Sequence, residues 1–491
     1  MTKMILKREP RLESKYRSFP YQLQAVEAIR DLPYAAIFHE QGLGKSKIAI
    51  DLLLYWLEKK IVDTVLIVVK KSLLVNWLSE LSDHCYVKPA VLIQNKRINY
   101  HIFNGPNRIV LTNYEIVVSE LQRMKLFLKA RDTGVILDES TKIKNPNSRV
   151  ARALFELGPD FKRRVIMTGT PVANRPYDLW AQVRFLDEGR SLGNDFSDFK
   201  TRLDLRNDLY NDKPGQNALE GQLAEILEKI KGFAVRETKR RGLIELPQKV
   251  FENISTDWEP LQREKYVQVR DAMRLIVLRE GIPHEDVSES TLKRLLRLVQ
   301  VASNPRIVDD SYDKEPGKLP YLRDLVQAVC DDGEKCIVWS SFTENVDWLH
   351  RELGEFGTCK VHGRMSIDDR NRSVKRFKNE ASTRVFIATP GAAKEGLTLT
   401  VANHVIFYDR SFSLDDYLQA QDRVHRISQT RTCYVRSLIM EDSIDEWVDV
   451  LLQAKHLAAQ LAQGDISLDY YRSQISYDFG EILGRVLNES N

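Results

Sequence analysis

Residues 39–50, HEQGLGKSKIAI, follow a short apolar run and lead into a helical pattern. A loop that binds phosphate needs backbone N–H groups and a helix N-terminus aimed at the anion. Gly42 and Gly44 permit that approach, Lys45 would reach the β- and γ-phosphates, and Ser46 would ligate Mg2+. The strict pattern asks for a further glycine at position 39, where this chain has His39. Taken alone, the run also fits an ordinary strand-to-helix turn. A second group, GVILDEST at 134–141, ends an apolar run in two carboxylates, Asp138 and Glu139. Open α/β sheets bind ligands at such an edge. There Asp138 would hold Mg2+ through water, and Glu139 would orient and deprotonate an attacking water.

A third group is DDYLQAQDRVHRISQT at 415–430. Read at roughly 100° per residue it is an amphipathic helix. Tyr417, Ala420, Val424 and Ile427 form an apolar stripe; Gln419, Asp422, Arg423 and Arg426 lie on a neighbouring polar face. Alone, that is a solvated helix face. Beside a reacting phosphoryl group, Arg423 and Arg426 become arginine fingers that offset the charge building on the γ-phosphate. The three groups together predict Mg2+-dependent ATP hydrolysis. Because the arginines are far along the chain from Lys45, the reading places ATP between two domains, as in a motor.

The elements that must position these residues can be read from the apolar runs. AAIFHE (35–40), TVLIVV (64–69), RIVLTNY (108–114), GVILDES (134–140) and RRVIMTGT (163–170) predict buried strands separated by helical stretches. The rhythm returns in KCIVWSSF, TRVFIATP, NHVIFYD and TCYVRSLI. Continuous apolar strands alternating with helices predict parallel sheets covered on both faces, hence an α/β fold with two sheet domains. The stretch from about 190 to 305 is mainly helical and charged, broken at DLYNDKPGQN. The expected division is a first sheet domain over 1–250, a helical linker or brace over 251–315, a second sheet domain over 316–460 and a C-terminal tail over 461–491.

The formal net charge of the 491 residues is only +4, so any nucleic-acid surface must be local rather than a global basic field. Cys85, Cys330, Cys336, Cys359 and Cys433 are scattered without a CxxC pair, which argues against structural zinc and a disulfide framework. The first residues carry no apolar run suited to a signal peptide, and no run of about 18 apolar residues predicts a membrane span. A soluble, cytoplasmic protein is expected.

On these motifs the chain resembles superfamily 2 helicases and, among them, the Swi/Snf-type DNA translocases, over about residues 19–455. FPYQLQAVEAI (19–29) is similar to the glutamine motif, with Gln22 as adenine reader. HEQGLGKS keeps Glu40 but has Gln41 where methionine is usual. LIVVKKSLLVNWLSEL (66–81) resembles a DNA-contacting motif, with Lys70 replacing its proline. LTNYE (111–115) and MTGTPVANRPYDLW (167–180) fit the family, as do VRETKRRGLIELPQK (235–249) and GKLPYLRDLV (317–326). DESTKIKN has Thr141 where histidine is usual, and ATPGAAKEGLTLT (388–400) has Ala393 and Lys394 in place of paired glycines. QAQDRVHRISQT is the most specific match, departing chiefly at Ser428.

The resemblance implies two RecA-like lobes gripping a DNA backbone. It implies nucleotide contacts at Gly396 and Gln419, and coupling through Thr168 and Thr170. The implied DNA contacts are Lys70, Lys71, Ser72 and Thr112 in the first lobe, and Ser341, His362, Gly363, Thr389 and Lys394 in the second. Trp77 and Trp339 are expected in the core rather than on bases. The expected activity is that of a monomeric, ATP-driven translocase of phage or bacterial type. It would remodel branched DNA by branch migration, fork regression or annealing, in replication, repair or recombination. A duplex-tracking motor that displaces bound proteins such as RNA polymerase is the alternative; an ATP-switched DNA-binding module that does not translocate is the third. The segment 204–221 is either a strand-separating element or a surface loop.

Overall fold

The computed structural model describes residues 9–172, 175–203, 213–239, 246–279, 289–393, 397–426 and 428–475. The chain separates into two compact units. The first comprises residues 1–204, 222–244 and 462–465; the second comprises 205–221, 245–461 and 466–491.

The first unit is built on strands β1 (Tyr34–Ile37), β2 (Thr64–Val69), β3 (Ala90–Val91), β4 (Ile109–Asn113), β5 (Thr133–Asp138), β6 (Arg163–Met167) and β7 (Ala234–Val235). They form one sheet in the order β3-β4-β2-β5-β6-β1-β7, and adjacent strands run parallel. Every residue of β2, β4 and β5 is buried. Helices cover both faces of a parallel sheet and exclude water from it, so its strands need apolar residues at every position. Helix α1 (Pro20–Ile29) precedes β1, with proline at its first position and the Phe19 N–H donating to Gln22 Oε1 at 3.0 Å. Helix α2 (Lys45–Glu58) follows β1, and α3 (Leu74–His84) follows β2. Trp56 and Leu53 of α2 and Trp77 and Leu81 of α3 lie in one core cluster with Val65, Ile67 and Ile136 of the sheet.

The second unit carries β8 (Lys249–Thr256), β9 (Cys336–Trp339), β10 (Thr358–Val361), β11 (Val385–Ala388), β12 (His404–Phe407) and β13 (Cys433–Met440). Their order is β10-β11-β9-β12-β13-β8, again parallel throughout. The stretch expected as a helical linker or brace over 251–315 begins differently, because Lys249–Thr256 is the edge strand of this sheet. Its burial alternates, so it offers no continuous apolar run to read. Beyond it come helices Pro260–Arg279 and Glu289–Ser303, tied by Gln262 Nε2 donating to the carbonyls of Val301 and Ala302. Of the 204–221 segment, residues 204–212 lie outside the described residues and 213–230 are helical. Among the described residues, no helix is long and apolar enough to cross a membrane.

Helix α4 (Lys318–Asp331) enters the second sheet through a buried ion pair. Lys318, 0 % exposed, places Nζ 2.5 Å from Asp445 Oδ2 and donates to the Tyr408 carbonyl at 3.1 Å. Removing one partner of such a pair leaves an uncompensated charge in low dielectric. Lys318→Ala should cost about 3–5 kcal/mol of unfolding free energy; a urea midpoint close to that of the parent chain would show that the pair carries no such weight.

Candidate active site

The sheet of the first unit delivers its chemistry at one edge. The loop after β1 carries Gly42 and Gly44, both at positive φ (86° and 70°), and Lys45 and Ser46 open α2. At Gly44 a side chain is excluded twice over: the left-handed backbone disfavours one, and a Cβ would lie 2.3 Å from Gln22 Nε2. Gln22 is buried, and its amide donates to the Leu43 carbonyl at 3.3 Å, alongside Tyr21 Oη at 3.1 Å. The residue expected to read adenine thus also braces the phosphate loop. Lys45 is buried with Nζ donating to the carbonyls of His39 (3.0 Å) and Glu40 (3.4 Å), its own loop.

Asp138 ends β5, the central strand, and Glu139 follows it in the left-handed region at φ 50°. Three donors fix this corner. Trp77 Nε1 donates to Asp138 Oδ2 at 2.7 Å, the Glu139 N–H to Asp138 Oδ1 at 2.8 Å, and the Tyr114 hydroxyl to the Asp138 carbonyl at 2.7 Å. Burial, with the charge of Glu139 added to it, pushes the Asp138 carboxyl up to about 6; the Trp77 N–H and the charge of Lys45 pull the other way. Glu139 Oε1 accepts from Gln41 Nε2 at 3.3 Å, while its Oε2 is buried with no partner. Thr168 and Thr170 lie in the buried turn after β6, where the Thr170 N–H donates to Thr168 Oγ1 at 3.2 Å.

His39 occupies the position of the missing glycine. It is 2 % exposed and stacks on Tyr21 with ring centroids 6.1 Å apart. Burial and then the Lys45 charge push the imidazole down to about 4, with the Val235 backbone drawing it slightly back.

In the second unit the expected long helix is shorter than its pattern. Helix α5 spans Leu414–Gln421, residues 422–424 form a turn and 425–426 a bend. The chain turns because Gln429 folds back, its Nε2 donating to the carbonyls of Ala402 (2.9 Å) and Val424 (3.1 Å), and the Leu399 N–H caps the Arg423 carbonyl at 3.0 Å. Nor is the polar face simply solvated: Gln419, Asp422 and Arg423 are buried and Arg426 is half-buried. Arg426 donates to Thr398 Oγ1 at 2.6 Å and to the Asp422 carbonyl at 3.0 Å; Arg423 donates to the Leu397 carbonyl at 3.4 Å. Gln419 Nε2 donates to Asp415 Oδ1 at 2.7 Å, and its Oε1 is buried without a partner.

The expected DNA contacts divide. Lys70, Lys71 and Ser72 follow β2 in a short turn of 3-10 helix, partly or fully exposed. Thr112 does not share that surface, being wholly buried inside β4 with an unpartnered hydroxyl. Ser341, His362, Gly363 and Thr389 lie just past the C-terminal ends of β9, β10 and β11, three neighbouring strands. Gly363 is exposed, Ser341 and Thr389 are half-buried, and His362 is buried with Nε2 3.1 Å from Asp347 Oδ1. Lys394 and Gly396 lie outside the described residues. Trp77 and Trp339 are core residues, as expected. The acid-positioning role of the Trp77 N–H, and that of Tyr114, escape a sequence reading. Their signal is the sheet order, which sets β2 beside β5 and β4 beside β2.

Comparison with known proteins agrees on kind. Residues 21–307 match the SNF2-related domain and residues 317–428 the helicase conserved C-terminal domain. An uncharacterized ATP-dependent helicase of Mycoplasma pneumoniae is 27% identical, over 91% of this chain and 42% of its own length. The ISWI chromatin-remodeling complex ATPase ISW1 of Saccharomyces cerevisiae is 26% identical, over 87% of this chain and 39% of its own. The chain thus spans about two fifths of these curated relatives. A solved Sulfolobus solfataricus SWI2/SNF2 ATPase core in complex with dsDNA aligns over 99% of this chain and 100% of its own at 24% identity and a TM-score of 0.43.

Two outcomes follow from this geometry. His39 stays neutral in the folded chain until about pH 4 but takes a proton near 6.5 once unfolded. It therefore leaves stability intact above pH 6.5 and erodes it as pH falls from 6.5 towards 4. Relative to the parent, His39→Gln should recover on the order of 3 kcal/mol between neutral pH and the acid end of that window, read from urea unfolding at each pH. Trp77→Phe keeps a ring in the core but withdraws an N–H from a buried carboxylate, at a cost of about 2 kcal/mol. It should also raise the Mg2+ concentration needed for half-maximal ATP hydrolysis; an unchanged Mg2+ titration would mean that the indole only packs.

Proposed function

The chain belongs to the SNF2-related family, and from that membership we propose that it is a DNA-dependent ATPase, a motor that spends ATP to move along or remodel DNA. The observation that carries the reading is the corner formed by Asp138 and Glu139. A buried carboxylate, Asp138, and a half-buried one, Glu139, stand together, the buried Oε2 of Glu139 has no partner, and the charge of Lys45 is close enough to pull on Asp138. A water held by the Glu139 carboxylate would give up its proton there as it attacks the γ-phosphate.

Mg2+ fits this donor set, because paired acids in a buried site call for a compensating cation; Ser46 and Asp138 would hold it. When bound, the ion offsets phosphate charge. The chain's own residues do the rest. The backbone of Gly42–Gly44 and the start of α2 receive the phosphates, Lys45 leaves its loop carbonyls for the anion, and Gln22 supports the loop from behind. Arg423 and Arg426 are the candidate fingers, and Gln419, with its unpartnered carbonyl oxygen, is a candidate nucleotide contact.

For the nucleic-acid side, duplex or branched DNA is the proposed partner, held through its backbone by Lys70, Lys71 and Ser72 and by the strand-end residues Ser341, His362, Gly363 and Thr389 of the second sheet; Lys394 is a further candidate on its sequence alone. The finer reading is a branched substrate, as in fork regression, branch migration or annealing. It is supported by a resemblance of the Gly-Leu-Thr-Leu-Thr sequence at 396–400 to annealing and fork-remodelling members of the family.

Steady-state ATP hydrolysis at fixed salt, measured without nucleic acid and then with single-stranded DNA, duplex, a three-way fork, a four-way junction and RNA, tests both levels. Stimulation by DNA but not RNA is expected, greatest with fork or junction, and Lys45→Ala should abolish turnover. Equal stimulation by plain duplex would move the assignment to a duplex-tracking motor that displaces bound proteins. A lack of DNA stimulation would overturn the motor itself.

A further inference from the structure

Gln41 belongs to the phosphate loop by position but faces away from its chemistry in two directions. On one side its Nε2 donates to Glu139 Oε1 at 3.3 Å. On the other, a methyl group added at Gly169 would fall 2.7 Å from Gln41 Cγ and 2.9 Å from both Cδ and Nε2. The carboxamide therefore lies flat against the backbone between Thr168 and Thr170, and the glycine is what admits it.

Glu139 needs such a support. Its backbone is in the left-handed region, costly for any residue with a side chain, and its Oε2 is buried and unpartnered. Among the described residues, the side-chain hydrogen bond that orients the carboxylate is the one from Gln41. Both Gln41 and Thr141 depart from the residues usual in the resembled family. A methionine in place of Gln41 has no N–H to give, and Thr141, two residues beyond Glu139, stands where a histidine is usual.

We propose that Gln41 is a positioning residue: it aims the Glu139 carboxylate and ties it to the Thr168–Thr170 turn, so that a displacement of that turn misdirects the base. The proposal rests on the reading of Glu139 as the group that activates water.

The test is single-turnover ATP hydrolysis by the full chain with excess enzyme, duplex DNA and Mg2+, alongside the Kd for ATP. Gln41→Met should slow hydrolysis about tenfold, the size expected for losing one hydrogen bond to a charged group, while the Kd stays within about twofold. Gly169→Ala should do the same by pushing the carboxamide aside, and the double variant should be no slower than the slower single one. Rates within twofold of the parent for Gln41→Met, or losses that multiply in the double variant, overturn the proposal. Should Gly169→Ala fail to fold by circular dichroism, Gln41→Glu takes its place. It keeps the size but sets a further carboxylate against Glu139, and must be slower than Gln41→Met; an equal or faster rate overturns the link. Glu139→Gln separates the two levels. If it hydrolyses ATP at the parental rate, the base assignment falls; if it is inactive while Gln41→Met is parental, only the role of Gln41 falls.

Discussion

Two like charges side by side at the end of a buried strand are the constraint around which the first unit is organised. Away from bulk water the repulsion between Asp138 and Glu139 is screened far less than at a surface, and it adds to the cost of burying either one. The fold answers from three directions. The strand next to β5 leads into the helix that brings Trp77 N–H to Asp138; the strand beyond that one leads directly into Tyr114, whose hydroxyl holds the Asp138 carbonyl; β1, on the other side, leads into Lys45. None of these contacts removes a charge. They hold the pair in place with both carboxylates available, which is the preorganisation a site for phosphoryl transfer needs before its substrate arrives.

How much of this could be read from the chain depends on whether a residue's role is local. Strands such as TVLIVV announce themselves because every position is buried. Lys249–Thr256 sits at an edge, where polar residues break up the apolar run that would have marked it, and the pairs Ala90–Val91 and Ala234–Val235 are too short to carry any pattern. In the site, Gly44, Lys45, Asp138 and Glu139 are legible because their chemistry is set by neighbours one or two positions away. Gln41 and Trp77 are not, since what each touches is fixed by which strands lie side by side.

The 415–430 segment shows the opposite failure. Its periodicity fits a helix throughout, yet the helix stops at Gln421. Periodicity registers which side chains are apolar; it does not register that the Gln429 side chain bonds back to the carbonyls of Ala402 and Val424. Burial of Asp422 and Arg423 follows from the same fold-back, and so does the hold on His425, whose Nε2 donates to the Pro247 carbonyl at 2.9 Å.

The edge strand β8 has a consequence for how the protein is made. It is the first strand of its sheet to leave the ribosome, yet its partner β13 is the last: Thr256 and Ile439, bonded across that ladder, are 183 positions apart. Until β13 emerges, β8 has no ladder to join, and the four strands synthesised in between can assemble without it. Long-range parallel pairing is slow because the entropy of closing the loop is lost before any contact is gained. The nascent second unit must therefore pass through a stage with an unpaired strand, and the polar Glu252, Asn253 and Ser255 that hid β8 from a sequence reading also make that strand a poorer template for another chain.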